Sequence, residues 1–244
     1  MKKIYHTFLC AAALLLASAC TIYHPQSVDI PLINHRGDAR IDASASMSAW
    51  ILPDVFTLNL TGSYGFSDWF AGQAHVNFGG DNYYTQLAPG AYYPLGAKSV
   101  VEGYAGLGFG GGWRDNIDSE HSDQTNNNYS FKGHYFLPFA QCNIGWHDLT
   151  KAHFDLAVGL KLGALMPDYE YFELNNGTEI AGSRMGYKTT NFLVEPQAMI
   201  RFGGEHLRFN VRMGMSWLSD MGTKGAEKFI YDYVTGSAGL TFYF

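Results

Sequence analysis

The sequence predicts an all-β fold: one antiparallel transmembrane β-barrel of about ten strands. Three observations carry this expectation. Apolar and polar side chains alternate with period two through most of the chain. The alternating stretches run to roughly 10–15 residues, whereas ordinary strands have about five or six and a tilted membrane-crossing strand needs roughly 9–11. Finally, the chain holds 17 Phe, 16 Tyr and 5 Trp, and these gather at the ends of the stretches. Of 244 residues, 47% are hydrophobic and 16% charged. No window beyond the N-terminus offers the 18 or so apolar residues of a spanning helix. A formal charge of −6 argues against a nucleic-acid partner, which selects for basic surfaces.

Residues 1–19 read as a secretory signal peptide. Lys2 and Lys3 precede the apolar run Phe8 to Leu16, and Ala17-Ser18-Ala19 leads into Cys20. Ala17-x-Ala19 fits ordinary signal peptidase. Small residues entering a cysteine also resemble a bacterial lipobox, although Ala17 holds the place usual for Leu and Leu16 sits one earlier. That resemblance implies that Cys20 is acylated and becomes the new N-terminus. Loss of the leader removes two lysines and no acid, taking the formal charge from −6 to −8. Cys142 is then the lone remaining thiol. No intramolecular disulfide is expected, and a wall position suits it better than a nucleophile's role.

Residues 20–36 read as a lipid-anchored periplasmic tether, kept extended by Pro25 and Pro31. The barrel follows over 37–244. Its clearest strand puts Leu207, Phe209, Val211, Met213, Met215 and Trp217 on one face and Arg208, Asn210, Arg212, Gly214 and Ser216 on the other. Phe154 to Met166 alternates in the same way against His153 to Gly163. Further stretches begin near Ile41, Phe56, Phe70, Tyr84, Val100, Phe131, Phe192 and Ile230.

The connections alternate in length. Short links fall at Gly65 to Asp68, Leu95 to Lys98, His147 to Lys151 and Gly203 to Glu205. Long ones fall at Trp113 to Asn128, Asp168 to Lys188 and Leu218 to Lys228. Outer-membrane barrels have short periplasmic turns and long outer loops. Ten strands therefore put both termini on the periplasmic side, with an acyl chain on Cys20 entering the inner leaflet. The periplasmic aromatic girdle is expected at Tyr64, Phe66, Trp69, Tyr92, Tyr93, Trp146, Phe202 and Phe242. The outer one is expected at Tyr83, Tyr84, Trp113, Tyr129, Trp217, Phe229 and Tyr231.

The chain closes on Gly239-Leu240-Thr241-Phe242-Tyr243-Phe244, which resembles the last strand of bacterial outer-membrane barrels. That ending implies recognition by the barrel-assembly machinery. Cys20-Thr21-x-Tyr23-x-Pro25, then Pro31-Leu32 and Arg36-Gly37-Asp38, are similar to a group of small lipid-anchored outer-membrane barrels of the Bacteroidota. The likeness covers essentially the whole mature chain. Its motifs are short, and they imply a location in the bacterial outer membrane rather than an activity.

Gly106-Leu107-Gly108-Phe109-Gly110-Gly111 matches the glycine spacing of a dinucleotide loop, but it runs into the polar loop Trp113 to Asn116 instead of opening a helix. Glycines at alternate positions would leave one strand face small, so that neighbouring lumen side chains fit. The expected lumen set is Glu102, Lys132, His134, Asp155, Lys161, Glu195, Arg201, Arg208 and Arg212. Mixed charges in so narrow a space should pair. An anion or ligand site at Glu195, Arg201, Arg208 and Arg212 is the alternative. A ten-stranded barrel lies near the small end, where side chains or one small ligand fill the interior, which argues against a wide pore.

The first long loop holds Asp115, Asp118, Glu120, His121 and Asp123, a set that could activate water or bind a cation. Its spacing fits neither an EF-hand nor a paired-histidine zinc site. His147-Asp148 and His153-x-Asp155 are too sparse to hold a metal alone. No G-x-S-x-G elbow occurs. No catalytic set, metal or cofactor is therefore expected. The leading expectation is a non-enzymatic structural or interaction role, as an accessory subunit of a larger outer-membrane complex. Its partners would be membrane lipid, the assembly machinery and another outer-membrane protein. The alternatives are a surface hydrolase using Asp118, His121 and Asp123, and a narrow channel or small-ligand binder using the inward arginines.

Overall fold

In the computed structural model, residues 23, 29–48, 55–118, 127–175, 178–220, 231 and 233–244 are described. Ten staves form the barrel. The first seven are β1 (Ala39–Ser48), β2 (Val55–Gly65), β3 (Phe70–Gly79), β4 (Asn82–Pro94), β5 (Ser99–Asp118), β6 (Asn127–Trp146) and β7 (Asp155–Asn175). Two short strands, β8 (Thr178–Glu179) and β9 (Met185–Lys188), fold back onto β7. The remaining staves are β10 (Asn191–Gly203), β11 (Leu207–Met215) continued by β12 (Trp217–Asp220), and β13 (Val234–Tyr243). Both β11 and β12 pair with β10, so the two halves act as one stave broken at Ser216. Each stave pairs antiparallel with its neighbour, and β13 closes the ring against β1, with Ala45 opposite Ala238.

Alternation decides what each face of the wall meets. On β11, Arg208, Asn210 and Arg212 are buried inside, while Leu207, Phe209 and Met213 stand exposed on the outside. On β7, Asp155 and Lys161 face in, and Leu156, Val158, Leu160 and Leu162 face out. The same holds round the ring, giving an apolar exterior about a polar lumen. A soluble barrel has the reverse arrangement, so this sidedness is that of a barrel whose solvent is lipid. Tyr64, Phe66, Trp69, Tyr93, Trp146, Phe202 and Phe242 ring the turn-bearing end, and Tyr83, Trp113 and Trp217 stand exposed towards the other.

The wall is uneven in height. β1, β2, β3 and β13 have 10 or 11 residues each, about what a membrane crossing needs. β5, β6 and β7 have 20 or 21, so their far halves stand clear of the membrane. Much of what was expected as loop at Trp113 to Asn128 and Asp168 to Lys188 is therefore strand. The ladder continues because inward aromatics continue it: Tyr169 and Tyr171 are buried, and Tyr187 of β9 stacks on Tyr169 with ring centres 5.3 Å apart.

Four expected orientations are corrected. Lys132 and His134 face outward, because the buried residues of β6 are the odd-numbered Phe131, Tyr135, Leu137, Phe139, Gln141 and Asn143. At that height the exterior is water, so outward charge carries no penalty. Tyr84 and Tyr92, expected on the rims, instead point into the lumen. Tyr92 donates its hydroxyl to the Ser67 carbonyl at 2.7 Å. The glycine run of β5 makes the room anticipated for it: a Cβ at Gly108 would strike the Tyr84 ring, and one at Gly110 the Tyr135 ring.

The largest departure lies ahead of β1. The described part of the segment expected to hang below the barrel runs inside it, with Tyr23, Ile30, Leu32 and Ile33 fully buried.

Candidate functional site

The lumen is the candidate site, and its walls are built from the inward positions of every stave. Among the described residues, five buried acids (Asp29, Asp42, Glu102, Asp155, Glu195) face five buried bases (Arg40, Lys161, Arg201, Arg208, Arg212). Asp29 is the one member that does not come from the wall. Without it the wall alone would hold four acids against five bases, and unpaired buried charge is costly. The chain thus supplies its own counter-charge from the segment it inserts.

That segment is held along its length. The Arg201 guanidinium donates to the carbonyls of Ile30 (2.8 Å) and Pro31 (3.3 Å) and lies 3.8 Å from the Asp29 carboxylate. Arg212 sits 3.2 Å from Asp29 and is also paired with Asp42. The Gln141 amide donates to the Asp29 carbonyl at 2.7 Å, and the Ile33 amide donates to Glu102 at 2.7 Å. Wall side chains thus satisfy a buried backbone that has no strand ladder of its own. Further along, Tyr23 donates its hydroxyl to Glu195 at 2.7 Å and meets the Tyr135 ring edge-on at 5.3 Å.

Shape is matched as well as charge. Leu32 adopts a positive φ of 58°, an uncommon conformation for a residue with a side chain, and packs against the bare backbone of Gly145. A Cβ at Gly65 would come within 2.9 Å of the Ile33 side chain and 2.6 Å of the His35 carbonyl. These two glycines clear the path of the segment.

A second polar cluster closes the turn-bearing end. Asp148 accepts from Arg208 at 2.9 Å and contacts His153 at 2.7 Å and His147 at 3.4 Å. Asp155 accepts from Arg208 at 2.6 Å and from the Tyr243 hydroxyl at 2.9 Å. Partial burial pushes the Asp148 carboxyl up. The hydrogen bond from His153 and the charge of Arg208 outweigh it and hold the carboxyl below its ordinary range. Asp148 and His153 both have positive φ, at 51° and 45°, and the cluster holds both in place.

The four residues expected as an anion or ligand site are therefore inside, as anticipated, but they do not form one pocket. Arg201 and Arg212 hold Asp29, Arg208 belongs to the terminal cluster, and Glu195 bonds Tyr23 and the Ser216 hydroxyl (2.6 Å). Sequence reasoning missed Asp29, Asp42 and Arg40 as members. Asp42 and Arg40 were legible from the alternation of β1, whereas nothing in the local pattern near Asp29 marks it as buried. Cys142 is exposed on the outer wall. Cys20, Glu120, His121 and Asp123 lie outside the described residues, as do the side chains of Asp115 and Asp118. Among the described residues no group of three or more His, Cys, Asp or Glu is placed to hold a metal ion.

No family model matches the chain, and no curated protein matches its sequence. Solved structures do match by shape. The outer membrane protease OmpT from Escherichia coli superposes with a TM-score of 0.55 at 9% identity, covering 90% of this chain and all of that one. This chain has the fold of a bacterial outer-membrane barrel. Ail, the attachment invasion locus protein of Yersinia pestis, is a looser likeness, with a TM-score of 0.36, 13% identity, and 86% of this chain and 99% of that one covered. At these identities the likeness concerns the fold of the outer-membrane barrel and not its chemistry.

Proposed function

We propose that this protein is a plugged outer-membrane barrel with a non-enzymatic structural or interaction role, acting as an accessory subunit of a larger outer-membrane complex. The observation that carries this reading is the occupied lumen. Asp29 and its neighbours take up the groups that a diffusing anion or substrate would need. An interior neutralised by its own chain leaves the exterior and the tall side formed by β5 to β7 as the surfaces available for work. Those surfaces suit contact with another envelope protein better than turnover. The reading of Cys20 as an acylated anchor belongs to this proposal, as does residence in the outer membrane.

Purification from the native membrane in mild detergent, at native expression, tests it. The expected result is a stoichiometric protein partner, and a reconstituted barrel without steady conductance. A solitary barrel that conducts, or that hydrolyses a surface substrate through Asp118, His121 and Asp123, would overturn it.

A further inference from the structure

The plug has a direction, and that direction bears on where the mature N-terminus emerges. The wall residues that hold it can be ordered by their distance from the turn-bearing end. Ile33 is bonded by Glu102, three residues into β5. Ile30 and Pro31 are bonded by Arg201, two residues from the end of β10. Asp29 meets Gln141, five residues from the end of β6, and Arg212, five residues into β11. Tyr23 meets Glu195 and Tyr135, eight and eleven residues from the turn ends of β10 and β6. Followed backwards from β1, the chain starts near the turn-bearing end at Ile33 to Ile30 and has climbed most of a strand's length by Tyr23.

An independent observation agrees. Tyr23 forms a parallel bridge with Tyr231, three residues ahead of β13. The stave β13 descends from the loop-bearing end to the turn-bearing end. The inserted chain runs in the same sense, downward from Tyr23 to Asp29. Eight to eleven strand residues is about one membrane crossing, so Tyr23 stands near the loop-side boundary of the membrane.

We infer that the mature N-terminus passes up through the lumen and leaves at the loop-bearing end, so that an acyl group on Cys20 enters the outer leaflet and not the inner one. This rests on the reading of Cys20 as acylated and reverses the side expected for it. Cys20 lies three residue steps ahead of Tyr23, a reach of at most about 11 Å. β3 spans 10 residues before the turn at Gly80 and Asp81, so the described rim is low at that point and offers a route into lipid. Pinned by lipid above and by β1 below, the plug cannot swing out of the barrel.

Two variants test this on the full chain. The first carries a short epitope tag between Thr21 and Ile22, with the same tag in the turn between Gly96 and Ala97 as its control. Intact cells should bind antibody at the first site and not at the second, and mass spectrometry of the N-terminal peptide should show acylation of Cys20. Binding only after permeabilisation would overturn the threading. Binding on intact cells with an unacylated N-terminus would overturn the outer-leaflet anchor and the lipoprotein reading while leaving the threading in place. The second variant, Tyr23→Cys with Tyr231→Cys and Cys142→Ala, guards against a tag that disturbs folding. A disulfide between bridge partners should form in the folded barrel; its absence would overturn the threading.

Discussion

Asp29 is the residue on which the lumen turns. Removing one partner of a buried ion pair leaves an uncompensated charge, which typically costs on the order of 3 kcal/mol or more. Asp29→Ala should therefore lower stability by about 3 kcal/mol, read from urea unfolding of the barrel in detergent. Lys188→Ala breaks the exposed pair with Asp168, where the lysine is 80% accessible, and should change stability by less than about 1 kcal/mol. Equal effects from the two would contradict the assignment of Asp29 to a buried ion pair. Asp148 makes a prediction in pH. Its carboxyl is held below the ordinary value of about 4, so the stability it contributes is present above that pH and is lost as pH falls through its native value. Asp148→Asn should cost under about 1 kcal/mol at neutral pH, because the group is partly exposed, and nothing in strong acid. A loss that persists in acid would point to packing and not charge.

At the scale of elements, the staves were legible because a single period settles both what pairs and what faces lipid. The alternation of Leu207 to Trp217 and of Phe154 to Met166 is reproduced residue for residue. Leu160→Arg should accordingly cost about 2–4 kcal/mol if it lies at mid-membrane, and a heat-modified gel shift would report it. The parity of β6 was misread at Lys132 and His134, because above the membrane the outward face is polar and the inward face aromatic, so the sign of the pattern inverts. The plug could not be read at all. Ile30, Pro31, Leu32 and Ile33 show no period, and two prolines suggest an extended tether equally well. Their burial depends on partners over a hundred residues away, such as Gln141 and Arg201. Full burial of Ile30, Leu32 and Ile33 is worth about 2 kcal/mol each, so the segment has apolar as well as charged reasons to stay. Gly145→Leu should fill the space that Leu32 uses and loosen the plug while the staves still form. Unchanged protection of the plug in that variant would refute the fit.

For the whole molecule, the long staves β5 to β7 and a lumen occupied by the chain's own N-terminal segment are the features from which the proposed role is read. The occupied interior is the premise beneath both the proposed role and the threaded N-terminus. Hydrogen–deuterium exchange of the full mature chain in lipid nanodiscs tests that premise without altering a residue. The amides of Leu32 and Ile33, which donate to Glu102, should exchange as slowly as those of β10 and β11. Exchange of these two amides within seconds, beside a protected barrel, would show a free tether and an open lumen, and would contradict the plugged barrel.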